Sequence, residues 1–257
     1  MGLMEAPTVA NAVANTVAGE SLAERCLSLP GGVFDAQGRV HRLVRVRELT
    51  GADEEALFDR TEPSGARRVS AFLARAIESV EGMTGPIDIG FVEALHLGDR
   101  DYLLLRLRQL DLGDSVHQVM RCAGCAAKVD VDLMISELPV RRLAEPQQVC
   151  AVSLGGHALQ VRLPTGADQH AVEALALANP AAANTRLFAR LVQDADGTGP
   201  PTEETVRAWP AALRSGLSAW LQSQLPGPDL YLDLACPHCH ADMSCAFDLH
   251  GFFLPSA

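Results

Sequence analysis

The sequence predicts an α+β fold in which helical segments alternate with β-hairpins, and two C-x-x-C knuckle hairpins are stapled by one zinc ion. Three observations carry this. Stretches of period-two alternation, such as residues 40–46 and 128–135, are interleaved with stretches whose apolar residues recur every three or four positions, such as residues 65–80. Gly and Pro clusters punctuate the chain between them, at Pro30-Gly31-Gly32, Gly155-Gly156 and Pro226-Gly227-Pro228. Cys122-Ala-Gly-Cys125 and Cys236-Pro-His-Cys239 each sit between two strand-like segments.

Residues 1–28 carry small side chains and few large apolar ones, so they read as a flexible N-terminal arm, closed by Pro30-Gly31-Gly32. The rest, 29–257, is expected to be a single zinc-stapled domain of two halves, about 29–145 and 146–257. Alternation over 40–46 makes a strand. Thr50 and Asp53 form a capping box, with Asp in place of Glu, that opens a short acidic helix through Phe58. From Gly65 a second helix puts Val69, Leu73, Ala76, Ile77 and Val80 on one face. After a break over 82–86, residues 91–97 form a helical turn, and Asp99 caps a Leu-rich helix to about Leu110 that Gly113 stops. Residues 116–121 and 128–135 are the strands around the first knuckle, with Asp130 and Asp132 on a wet face.

A connection over 139–146 leads to a hairpin, 149–154 and 158–163, turning at Gly155-Gly156. Pro164 ends it, and Thr165 with Asp168 boxes a helix through Leu177. Asn179-Pro180 supplies cap and first-turn proline for the next helix, whose core face is Leu187, Phe188, Leu191 and Val192. A polar loop over 194–202 precedes a helix from Pro210 that carries Leu213, Leu217, Trp220, Leu221 and Leu225. Strands 230–234 and 243–249 flank the second knuckle. The order helix, Gly-containing break, strand, knuckle, strand therefore occurs twice, which fits duplication of the hairpin.

Composition excludes several classes of function. The 257 residues hold 21 Lys plus Arg against 32 Asp plus Glu, a net charge of −11. Phosphate neutralisation needs clustered cations, so nucleic acid and anionic membrane surfaces are poor partners. No apolar run approaches the roughly 18 residues needed to span a bilayer. The first twenty residues lack a basic region and carry Glu5, Asn11 and Asn15, unlike a signal peptide, so the chain is expected to be cytoplasmic when made.

The 7 cysteines are then better explained by metal than by disulfides, since cytosolic thiols are kept reduced. A tetrahedral structural zinc site needs four thiolate or imidazole ligands, and Cys122, Cys125, Cys236 and Cys239 supply four from two matched turns. Cys26, Cys150 and Cys245 read as small core hydrophobes, with Cys245 as a reserve ligand. Cys236-Pro-His-Cys239-His240 also matches the c-type haem attachment string, but haem would leave Cys122 and Cys125 without a purpose. There is no P-loop, dinucleotide fingerprint, nucleophile elbow or H-E-x-x-H string. A closed four-cysteine site leaves no position for a substrate water, so no catalytic residues, no small-molecule substrate and no enzymatic activity are expected.

Several strings in order carry a resemblance. They are Arg45–Leu57 (RVRELTGADEEAL), Leu95–Asp114 (LHLGDRDYLLLRLRQLDLGD), the first knuckle, Val161–Asp168 (VRLPTGAD) and the second knuckle. Together they are similar to the T-even-type bacteriophage baseplate proteins and their relatives in phage tail-like contractile injection systems, over about 30–254. The second knuckle departs by carrying His240 where Gly is commoner, and relatives are expected to continue into a helical tail beyond Phe252-Phe253-Leu254. The resemblance implies a structural or assembly role in a baseplate, with other baseplate or tail subunits as partners and no direct membrane insertion. The turn at 162–168 and the loop at 194–202 are the candidate contact surfaces. The second class of function is a zinc-binding adaptor unrelated to such particles, which neighbouring genes would distinguish.

Overall fold

Cys26–Phe34 (β1), Val40–Val46 (β2) and Ile77–Val80 (β3) form an antiparallel sheet in the order β1-β2-β3. Alternation along β2 buries Val44 and Val46 and leaves Leu43 and Arg45 outside. Helices α1 (Gly51–Phe58), α2 (Gly65–Ala76), α3 (Ile89–Ala94) and α4 (Leu97–Leu112) complete a core in which Phe72, Leu73, Leu103 and Leu107 are fully buried. The hairpin β4 (Ser115–Arg121) and β5 (Lys128–Met134) carries the first knuckle at its tip. The computed structural model describes residues 25–246. The predicted arm up to residue 24, and the expectations for residues 247–257, lie outside that range.

Past a short strand β6 (Val140–Arg141), the plan repeats. A sheet of β7 (Cys150–Leu154), β8 (His157–Val161) and β9 (Val192–Ala195) packs with α5 (Gly166–Ala178), α6 (Pro180–Leu191), α7 (Glu203–Ala208) and α8 (Ala211–Gln224). Its own core is centred on Phe188, Leu191 and Leu217. Strand β10 (Gly227–Pro228) pairs with β6, and the hairpin β11 (Tyr231–Ala235) and β12 (Asp242–Ala246) carries the second knuckle.

The repetition reaches individual side chains. Arg47 and Arg162, Thr50 and Thr165, Asp53 and Asp168, and Arg75 and Arg190 stand in equivalent places at one constant offset. In each half the Asp completes a capping box at the helix start. It also binds the first Arg through two hydrogen bonds, at 2.7 and 2.7 Å in one half and 2.6 and 2.8 Å in the other. The second Arg of each set reaches it from the end of the next helix. Arg100 and Arg214 are likewise equivalent: Arg100 donates to the carbonyls of Val92 and Ala66, Arg214 to those of Val206 and Ala181. The signal for this was present in the sequence as V-R-x-x-T-G-A-D at both 46–53 and 161–168. Duplication therefore extends far beyond the knuckle hairpins to which the sequence reading confined it.

Several boundaries differ from expectation, each for a local reason. Residues 26–34 are strand, taking in the last three residues of the predicted arm. Pro30-Gly31-Gly32 forms an irregularity within it, where the N–H groups of Gly31 and Gly32 donate to the Asp99 carboxylate at 2.7 and 3.0 Å. Asp99 thus lies in the first turn of α4 and serves another segment, while His96 is the N-cap. Burial pushes the Asp99 carboxyl up to about 7, against the two donated N–H bonds. The second helix stops at Ala76 because Ile77 turns extended and joins β2, and Val192 does the same against β8. The short helix α7 and strands β6, β9 and β10 carry too few residues for a periodicity signal. Cys26 is exposed and Cys150 half-buried, so neither is the core residue expected of it.

Gly98, at the start of α4, lies against the backbone of the second half. A Cβ there would sit 1.6 Å from the Pro226 carbonyl oxygen and 2.9 Å from the Gly227 Cα, neither of which is a side chain able to rotate away. Gly98→Ala is expected to cost about 3 kcal/mol or more, at or above the usual range for overpacking. The urea midpoint measures it, and an unchanged midpoint would show that β10 moves freely.

Candidate metal centre

Each knuckle is built by backbone geometry before any metal is considered. In the first, the N–H of Cys122 donates to the Ala127 carbonyl and that of Ala126 to the Cys122 carbonyl, both at 2.9 Å. In the second, Cys236 donates to Ala241 and His240 to Cys236, again both at 2.9 Å. The turn closes only if the residue after the second cysteine is left-handed, and Ala126 and His240 both have φ of 58°. Glycine would hold that conformation without steric cost, which accounts for its absence being a departure at His240.

The two hairpins face one another. Met120, Val129, Val131 and Met243 form a small apolar cluster with Cys122 and Cys236, and Leu234 and Ala241 pack on it. This seats Cys122 and Cys236 in the interior and leaves Cys125 and Cys239 at the surface. All four sulfurs lie within 4.8 Å of one another, the one such group of His, Cys, Asp or Glu among the described residues. Cys122 Sγ is 3.6 Å from Cys239 Sγ, and Cys125 Sγ is 3.8 Å from Cys236 Sγ. A Zn–S bond of about 2.3 Å sets tetrahedral sulfurs roughly 3.8 Å apart, so the four residues fit a tetrahedral metal ion.

Electrostatics agree with a cation among the sulfurs. The N–H groups of Cys125 and Gly124 point at Cys122 and hold its thiol down at about 7, Gly124 donating to the sulfur at 3.3 Å. The Ala241 N–H favours the Cys239 thiolate too, but Cys125 and Cys122 beside it push that thiol up to about 12. Four adjacent sulfurs repel one another as thiolates, and a divalent cation at their centre removes that repulsion.

All four predicted ligands are thus brought together from segments 111 positions apart. His238 and His240 are exposed at the rim, and Asp130 and Asp132 lie on the wet face of β5 beside His117. Cys236 and Cys239 face Cys122 and Cys125, an arrangement that thioether attachment to haem would break. The turn at 162–168 is not the exposed contact surface expected of it: Leu163 is buried in the core of the second half, Asp168 among Arg162, Thr165 and Arg190, and Gly166 against Arg100 of the first half. The loop at 194–202 is exposed at Asp196, Gly197 and Thr198.

Among the described residues no helix is long and apolar enough to cross a membrane. Comparison with curated proteins and with solved structures gives no match. The family model described as "T4 bacteriophage base plate protein" matches residues 40–254, a stretch that takes in β2 and both knuckles. With most of its length inside that match, the chain belongs to the T4 bacteriophage base plate protein family.

Proposed function

We propose that this protein is a structural or assembly component of the baseplate of a phage tail-like contractile injection system, held rigid by one structural zinc ion and without catalytic activity. The observation that carries this reading is the family match spanning both repeats. The architecture supports it. Two small cores, joined by a four-cysteine centre and by close backbone contact at Gly98, suit a subunit that offers stiff surfaces to neighbours. A closed four-thiolate set holds metal for folding and leaves no coordination position for a substrate. The partners are other baseplate or tail subunits, met in the cytoplasm where such particles assemble.

Deleting the gene is expected to abolish intact contractile particles while sheath and tube proteins are still made. Electron microscopy of the deletion strain, with immunoblots for sheath and tube, reads both. Normal particles in normal numbers would overturn the baseplate reading and favour a zinc-binding adaptor acting elsewhere.

A further inference from the structure

The two repeats meet through a contact that is used only once. At the α3–α4 junction of the first half, His96 forms an antiparallel bridge with Thr165 of the second. The Leu97 N–H donates to the Pro164 carbonyl at 3.2 Å, and the Gly166 N–H donates to the Leu95 carbonyl at 3.1 Å. Gly166 is required there, because a Cβ would lie 2.2 Å from Arg100 Nη1. Glu173 on α5 then accepts from Ser64 Oγ at 2.5 Å and from the Gly65 N–H at 2.8 Å, clasping the start of α2.

Because the halves are copies, each carries both surfaces of this contact, and one of each is left bare. The counterpart of Leu95-His96-Leu97 is Trp209-Pro210-Ala211, beside Arg214, which donates to the carbonyls of Val206 and Ala181, the equivalents of those that hold Arg100. The counterpart of Pro164-Thr165-Gly166 is Leu49-Thr50-Gly51. Thr50, Gly51, Pro210 and Ala211 are exposed. Among the described residues, no hydrogen bond uses the Gly51 or Ala211 N–H or the Leu49 or Trp209 carbonyl. Gly51 is the telling residue. A Cβ on it would meet nothing within 4 Å, so nothing described in this chain needs glycine there, whereas its copy must be glycine to admit an arginine.

The geometry points to head-to-tail association with a second copy of this chain, in which Trp209-Pro210-Ala211 of one copy docks on Leu49-Thr50-Gly51 of the next. The substitutions between repeats are compatible with it. Pro210 has no N–H, but the bridge uses the donors and acceptors of the flanking residues and not those of His96 itself. The carboxylate clasp is lost and an apolar side chain takes its place: Glu173 is replaced by half-buried Phe58, and Ser64-Gly65 by Asn179-Pro180, two residues past Leu177, which is 88% exposed. A contact between two different surfaces is heterologous, so copies would add in one direction and form a ring or an open helical array. This inference is independent of the metal and of the baseplate reading.

Two variants test it. Gly51→Arg blocks one surface where space is open, and Ala211→Arg blocks the other at an exposed helix start; Ser153→Arg, exposed on β7 and outside both triplets, is the control. By sedimentation velocity across a dilution series, the wild type and Ser153→Arg are expected to populate dimers and larger species. Gly51→Arg and Ala211→Arg should each be monomeric, with unchanged thermal midpoints. Mixing those two variants restores one intact pair of surfaces and should yield dimers and nothing larger. A wild type that stays monomeric at its highest soluble concentration, association that survives either variant, or a mixture that stays monomeric would overturn the inference.

Discussion

Removing the proposed zinc ion from the four-cysteine centre with a chelator is expected to melt both knuckle hairpins together and to lower the stability of the whole chain by several kcal/mol. A two-stranded hairpin is at best marginal alone, and the cluster of Met120, Val129, Val131 and Met243 that joins the pair is small. Zinc-finger peptides gain about 10–16 kcal/mol on binding zinc, which sets the upper scale. Linking segments 111 positions apart adds comparatively little through loop closure, because that entropy grows only logarithmically with length. Elemental analysis should find one zinc per chain; two or none would defeat a single shared site. Cys122→Ser should remove amide-exchange protection from 231–246 as well as from 115–134, since one ion closes both. Full protection of 231–246 in that variant would show two independent knuckles.

Asp168→Ala is expected to cost about 3–5 kcal/mol, the range for removing one partner of a buried ion pair. The Asp168 side chain is fully buried and serves five donors: two on Arg162, Arg190 Nε at 2.8 Å, the Thr165 N–H at 3.0 Å and Thr165 Oγ1 at 3.1 Å. Its loss strands two guanidinium groups and uncaps α5. Burial by itself would raise the Asp168 pKa, but the Arg162 guanidinium, the Thr165 N–H and Arg190 outweigh it and leave the group at about 2. A folded pKa below the unfolded value of 3.8 means that the contribution is complete above about pH 4 and is lost as pH falls through about 2. That is worth about 2 kcal/mol. Urea unfolding at pH 5 and pH 3 should show the loss in the wild type and a shallower one in Asp168→Ala. A loss below about 1 kcal/mol at neutral pH would mean that solvent reaches the site and screens it.

The equivalent Asp53 is also held well below the usual carboxylate range by Arg47 and Arg75, against the effect of burial. The first half thus repeats the brace, which couples a capping box to the end of the following helix. Burying an aspartate at this point is tolerable only because two arginines from one module converge on it. Neither half could lose one member without exposing the others to the same penalty.

Local rules in the sequence by themselves determined much of this protein. Capping boxes at Thr50 and Thr165, the Asn179-Pro180 start and Gly113 placed helix ends, because cap and turn chemistry acts within a few residues. The two C-x-x-C turns named the four cysteines that the fold clusters, because a knuckle is a local hairpin whose sulfur positions follow from its own backbone bonds. What only the tertiary structure decided are facts about separate segments. Ile77 and Val192 leave helical periodicity because a strand edge is waiting for them. Asp99 turns from capping its helix to holding Gly31 and Gly32, and residues 164–166 are covered by a junction some seventy positions earlier. Periodicity reports which face of an element is apolar and not what covers it. A duplicated chain sharpens that limit, since Gly51 and Gly166 stand in the same motif and only the packing of the halves covers one and leaves the other open.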